Sequence, residues 1–257
     1  MAPSGEALPN PEFLARILEV AGTGMILVGG QALAFWAAYY EVPAPAIAVT
    51  KDVDFVGTRA DAERLARGLG AKATFPRQRD LTLLTGQIEK DLPGGYYINI
   101  EVLSGVYGQV DTESLGKRAI VAEGPAGRFR VMHPLDVLQG RLENVYGIVE
   151  KQDEHGIAQL QLAVAMVRGF LKDIASQEAA KEDTVRRPVT LRHVRRIENL
   201  ALSDAGRKVA KRYQVHVADA VDPLPLLHIE SFRAKKLPQL LLLMSSERRA
   251  QIAATDD

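Results

Sequence analysis

Residues 25–56 constrain this chain more than any other stretch. The apolar run "MILV" stops at two glycines, Gly29 and Gly30, and good helix formers follow at once in "QALAFWAAYY". A short apolar run ending in glycines reads as a buried strand, and an element apolar nearly all round reads as a buried helix. Pro43 and Pro45 in "EVPAPAIAV" cannot continue that helix, so a loop or extended edge must follow. The next segment, "TKDVDFVG", predicts a strand over residues 52–56, with Val53 and Phe55 on one face and Asp52 and Asp54 on the other. Two carboxylates about 7 Å apart on one strand face repel, and Asp is a poor strand former. A divalent cation would remove the conflict, and an all-oxygen donor set without His or Cys suits Mg²⁺ or Mn²⁺ rather than zinc. The competing reading is an exposed polar strand face.

A third carboxylate sits in the clearest strand of the chain, "YYINIEVL", residues 96–103. There Ile98, Ile100 and Val102 point one way, while Asn99 and Glu101 point the other. If this strand lies beside the Asp52–Asp54 strand, three carboxylates converge as needed for metal-assisted in-line attack at phosphorus. The glycine corner adds a second element: without a Cβ the backbone comes close to a ligand, and amides at a helix start hold phosphate oxygens. A tight strand–helix turn would use the same two glycines. "GTGMILVGG" has the wrong spacing for a dinucleotide fingerprint, and no Gly-Lys-Ser/Thr follows to make a P-loop. The five histidines show no metal-ligand spacing, and no Ser-His-Asp set is evident.

The remaining pattern predicts a mixed α/β lobe over residues 1–132 and a mainly helical one over 133–257. Asn10 followed by Pro11 starts a helix that Gly22 ends, and Thr58 with Asp61 starts another that Gly70 ends. Short strands are expected near residues 72–75 and 81–88, and a hairpin over 119–131 turning at "GPAG". From Pro134 the period is helical, with Leu135, Leu138 and Leu142 in one helix and Ile157, Leu160, Val164, Val167 and Leu171 in a long one. Phe35 and Trp36 read as core. Net charge is zero but uneven: residues 1–180 are acidic by about five charges, whereas residues 181–250 are basic by about seven. Arg192, Arg195 and Arg196 share a helical face in that basic lobe, a pattern that suits an RNA acceptor and equally a solvated helix. The chain has no cysteine, "MAPSGEALPN" lacks a basic-then-apolar leader, and no apolar run nears the ~20 residues of a membrane span. A cytoplasmic protein without membrane contact is expected.

Taken together, "LVGGQALAFW", "TKDVDFVG" and "INIEVL" resemble the motif of the nucleotidyltransferase superfamily, the polymerase-β-like fold. Within it the chain is most similar to the bacterial AbiEii-like toxin nucleotidyltransferases, over roughly residues 25–167, because "VMHPLDVLQGRLENV" matches that group's helix after the sheet. The resemblance implies an α+β fold: a mixed sheet flanked by helices, followed by a C-terminal helical lobe. It implies that Gly29 and Gly30 hold an NTP and that Asp52, Asp54 and Glu101 hold Mg²⁺ or Mn²⁺. Glu101 would also draw the proton from the acceptor hydroxyl. The family's basic residue on the following helix falls near Arg141, with Lys151 next. The implied activity is transfer of a nucleoside monophosphate to a hydroxyl of an RNA end, a protein or a small molecule, in a toxin–antitoxin setting with an antitoxin or other protein partner. This chain departs from the pattern in having Gly30 where serine is commoner, Glu101 where Asp is usual, and a loose "KQDEHGI" segment. Glu101 and the loose "KQDEHGI" segment carry the alternative reading, a catalytically inactive binding or regulatory module on the same fold.

Overall fold

A computed structural model describes residues 5–77, 79–108, 111–125, 127–180 and 188–254. The capping signals are realised. Asn10 Oδ1 accepts from the Phe13 N–H at 2.8 Å and opens α1 (Pro11–Ala21), which Gly22 closes. Thr58 and Asp61 form a reciprocal capping box ahead of α3 (Arg59–Leu69), and Gly70 ends it in the left-handed conformation.

The chain divides into two units. The first comprises Met1–Phe35 and Val49–Gly140; the second comprises Trp36–Ala48 and Arg141–Asp257. The division runs through two helices, α2 (Gly29–Tyr39) and α5 (Pro134–Gly147), rather than along a linker.

The first unit is an eight-stranded mixed sheet with helices packed on it. Its strands are β1 (Gly5–Glu6), β2 (Ile26–Val28), β3 (Val53–Val56), β4 (Lys72–Thr74), β5 (Leu84–Asp91), β6 (Tyr96–Leu103), β7 (Ile120–Gly124) and β8 (Gly127–Val131). Their order is β4-β5-β6-β3-β2-β8-β7, with β1 also paired to β6. β3 runs parallel to β6 and antiparallel to β2, and β8 runs parallel to β2. The three strands bearing the sequence motifs are therefore adjacent at the centre. One face of this centre is apolar: Val53, Phe55, Ile100 and Val102 are buried, as alternation on a half-covered sheet requires. α1 packs against α3, and α3 against β5.

Two local expectations shift. The strand read over residues 81–88 starts at Leu84; ahead of it Asp80 accepts from the Arg77 N–H at 2.7 Å. A short helix, α4 (Thr112–Arg118), precedes the β7–β8 hairpin; Asp111 caps it, accepting from the Glu113 and Ser114 N–H groups. The hairpin itself is present, although Ala126 of its expected turn lies outside the described residues. So do Arg186 and Arg187 at the start of the basic tail.

The second unit is helical, built on α6 (Glu154–Ala179), α7 (Val189–Leu202), α8 (Asp204–Tyr213), α9 (Leu237–Leu243) and α10 (Ser246–Ala253). α6 buries Leu160, Val164, Val167 and Leu171 of the predicted stripe and adds Phe170, while Ile157 is half-buried. Trp36 is buried and stacks on Tyr40, whose side chain lies where a Cβ on Gly169 would be. The proline-rich segment ends in a turn, Ala46–Ala48, held by Gln159, whose Nε2 donates to the Ala48 carbonyl oxygen at 3.3 Å. No helix among the described residues is long and apolar enough to cross a membrane.

Candidate functional site

The acidic segment is placed by the start of α2. Gly29 has φ +66°, and a Cβ there would lie 1.9 Å from Asp54 Oδ2. Gly30 is as crowded: its Cβ would lie 2.4 Å from Thr50 Cγ2. Gln31 Nε2 then donates to the Thr50 carbonyl oxygen at 3.2 Å. Gly29 and Gly30 thus let the 50–54 segment approach to a distance that only glycine permits, and Gln31 ties it there. In the structure, the immediate reason for the Gly-Gly pair is the approach of the aspartate segment.

The register settles the placement that the sequence left conditional. β3 and β6 are parallel neighbours in which Asp54 lies directly opposite Glu101, while Val53 and Phe55 lie opposite Ile100 and Val102. Directly paired residues of neighbouring strands project to the same side, so Asp54 and Glu101 share the polar face. Asn99, one pleat back on β6, donates from Nδ2 to Asp52 Oδ1 at 3.5 Å and accepts from Gln87 Nε2 at 3.0 Å. Asp52 stands just before β3, which begins at Val53 rather than at Asp52.

Sequence reasoning missed Glu6. It lies on β1, which runs parallel to β6 with Glu6 opposite Tyr97, and the other edge of β6 is occupied there by β5. β1 therefore continues the line of β3 along β6, and Glu6 arrives beside Asp52. Burial pushes the Glu6 carboxyl up to about 7; a hydrogen bond with Asp52 and the Asp52 charge add to this, Lys51 opposes it, and Glu101 adds a little. Glu6 Oε1 is buried with no hydrogen-bond partner among the described residues. A two-residue strand in "SGEAL" carries no periodicity, so no sequence signal pointed to it.

Five of the predicted residues, Gly29, Gly30, Asp52, Asp54 and Glu101, belong to the first unit and cluster about β2, β3 and β6. Arg141 and Lys151 belong to the second unit. Arg141 Nη1 donates to Gln159 Oε1 at 2.6 Å, and Lys151 ends a single turn, Val149–Lys151.

The chemistry of the donor set suits a hard divalent cation. All the groups are oxygens, two carboxylates stand in register, and the buried Glu6 Oε1 has no hydrogen-bond partner among the described residues. Among the described residues, however, no group of three or more Asp, Glu, His or Cys side chains is arranged to hold a metal ion. The backbone brings the carboxylates together; the side chains as they stand do not surround one point.

No protein-family model matches the chain, and no curated protein matches it significantly. Two solved structures are similar over nearly the whole length. One is JHP933 from Helicobacter pylori, at 11% identity and a TM-score of 0.37, covering 97% of each chain. The other bears the name "putative nucleotidyltransferase" from H. pylori, at 12% identity and a TM-score of 0.38, covering 95% of each chain. Likeness at that level carries no argument about chemistry.

Proposed function

We propose that the first unit is a metal-dependent nucleotidyltransferase of the polymerase-β-like kind, transferring a nucleoside monophosphate from an NTP to a hydroxyl with release of pyrophosphate. The observation that carries this reading is the register of Asp54 with Glu101, together with the seating of the Asp54 carboxylate over Gly29. An acidic pair and the amide-rich start of a helix are thereby neighbours. That is the juxtaposition a cation-bound triphosphate needs, with negative charge met by metal on one side and by N–H groups on the other.

Asp52, Asp54 and Glu101 would hold Mg²⁺ or Mn²⁺, and their side chains, not gathered around one point among the described residues, would have to turn toward it. The bound ion would neutralise the triphosphate and favour the attacking alkoxide. The chain's own residues do the rest. The α2 start binds the phosphates through backbone N–H groups at Gly29 and Gly30. Glu101, on a strand braced on both sides, takes the proton of the acceptor hydroxyl. Asn99 holds Asp52 in place through its 3.5 Å hydrogen bond, with Gln87 behind it. Thr50, gripped by Gly30 and Gln31, fixes where the acidic segment begins.

The resemblance to AbiEii-like toxins, an RNA, protein or small-molecule acceptor, and an antitoxin-type partner all belong to this reading and rest on the sequence motifs. The test is label transfer from each α-³²P-NTP with Mg²⁺ to total bacterial RNA and soluble protein, run beside Asp54→Asn. Label on one acceptor class that is lost in the variant supports the proposal. Absence of transfer from a folded protein with any NTP, across RNA, protein and aminoglycoside acceptors, would replace it with the non-catalytic module.

A further inference from the structure

The second unit contains a cavity of about 460 Å³, within the usual size range of small-molecule sites. Its lining combines three chemistries. Val145 and Val209 are buried and form an apolar floor, and Tyr146 and Tyr213 stand beside them. Lys208, Lys211 and Arg212 supply three cations from one helix, α8, at spacings of three and four residues. None of the lining residues is acidic. The nearby carboxylate on α8, Asp204, is paired with Arg207 at 2.6 Å.

Like charges three and four apart on a helix repel weakly, and at Lys208 the Tyr146 hydroxyl and the Asp204 charge offset that repulsion. The favourable interaction of cations with a helix C-terminus accounts for Lys211 and Arg212 in the last turn. It does not account for the remaining features. Arg212 is fixed from both sides: Nη1 donates to Gln152 Oε1 at 3.1 Å, and the guanidinium lies over the Tyr213 ring at 5.0 Å. Gln152 is anchored in turn, its Nε2 donating to the Tyr146 carbonyl oxygen at 3.4 Å. Lys208 Nζ donates to the Tyr146 hydroxyl at 3.2 Å. The Tyr213 hydroxyl is buried and has no hydrogen-bond partner among the described residues, a state that costs free energy unless a ligand or water completes it.

A bare phosphate would need the cations but neither the apolar floor nor the phenols. An uncharged aromatic would need the reverse. We infer that this cavity binds a nucleoside monophosphate unit, as a free mononucleotide or as the terminal nucleotide of a single-stranded RNA. Lys208, Lys211 and Arg212 take the phosphate, the base lies on the apolar floor against the tyrosines, and the Tyr213 hydroxyl bonds to the base edge or the ribose. This site is separate from the proposed transfer chemistry and does not depend on it.

The test is equilibrium binding to the full-length chain carrying Asp54→Asn, in EDTA, which removes metal and the Asp54 charge from the first unit, while the Arg212 and Tyr213 variants assign binding to the second. The probes are UMP, AMP, uridine, inorganic phosphate and a fluorescein-labelled single-stranded RNA octamer. A nucleotide should bind about tenfold or more tightly than phosphate or nucleoside alone, as expected when both parts make contacts. Adding Arg212→Gln should weaken nucleotide binding about tenfold, the effect of one charge-assisted hydrogen bond, and lower the salt slope for RNA by about 0.7. Adding Tyr213→Phe should weaken it several-fold at unchanged melting temperature. RNA binding far more tightly than mononucleotide identifies an RNA end as the ligand, and equal affinities identify the free nucleotide. Phosphate binding as well as UMP, no nucleotide binding up to about 1 mM, or affinities unmoved by both variants would overturn the inference.

Discussion

Gly29→Ala tests whether the glycine corner exists to admit Asp54. Two costs add. At φ +66° an L-residue carries about 1–2 kcal/mol of backbone strain. The new Cβ also lands 1.9 Å from Asp54 Oδ2, so that oxygen must retreat by roughly 1.5 Å to reach ordinary contact. Rotating the carboxylate is not enough, because Asp54 Cγ and Cβ would still lie 2.9 and 3.0 Å away. With overpacking worth about 1–3 kcal/mol, the total should be about 2–5 kcal/mol. In an Asp54→Ala background Oδ2 and Cγ are gone and only the 3.0 Å contact to Cβ remains, so most of the steric part vanishes while the backbone part stays. A double-mutant cycle in urea unfolding, followed by circular dichroism in EDTA, should therefore return a coupling of at least about 1 kcal/mol. Costs that add to within about 0.5 kcal/mol would show that Asp54 does not dictate Gly29, and would leave ligand approach as the reason for the glycine.

Other outcomes follow from single groups. Glu6 has its carboxyl raised from 4.5 to about 7, so the folded state holds more protons than the unfolded state between those values and stability must fall as pH rises through that window. Glu6→Gln should remove this slope and, after allowing for solvent screening of a half-buried group, gain on the order of 1 kcal/mol at pH 8 without metal; an unchanged slope in urea titrations would refute the crowding with Asp52. Burial lowers the His193 pKa below 6.5, helped by Arg192 and Arg196 and opposed by Glu178. Its contribution is complete above 6.5 and is lost as pH falls through the depressed value, so His193→Phe should flatten the acid limb of the stability profile, which is readable as melting temperature against pH. Arg118 donates from Nε to both oxygens of Asp136, a fully buried carboxylate, at 3.2 and 2.9 Å. Arg118→Met should cost about 2 kcal/mol in urea unfolding, and Arg118→Met with Asp136→Asn should recover part of that, because the penalty is loss of an ion pair to a buried carboxylate.

What the sequence determined alone was local. Asn10, Thr58 with Asp61, and Gly70 mark helix ends because capping uses atoms within a few residues of each other. The alternation in "YYINIEVL" separates Ile98, Ile100 and Val102 from Asn99 and Glu101 because side-chain direction along a strand has a period of two. The long stripe from Ile157 to Leu171 likewise followed from the helical period. Which strands are neighbours, and in what register, depends on contacts between residues nearly fifty positions apart, and no local preference encodes that distance. Only the tertiary structure set Asp54 opposite Glu101, seated its carboxylate over Gly29, and brought Glu6 from the second residue of a two-residue strand to the side of Asp52. It alone assigned Arg141 and Lys151 to the second unit and gathered Tyr146, Gln152 and the α8 cations around one cavity there. The physical reason is common to all of these: a side chain's chemistry is written in the sequence, but the charges and atoms that perturb it arrive through the packing of distant segments.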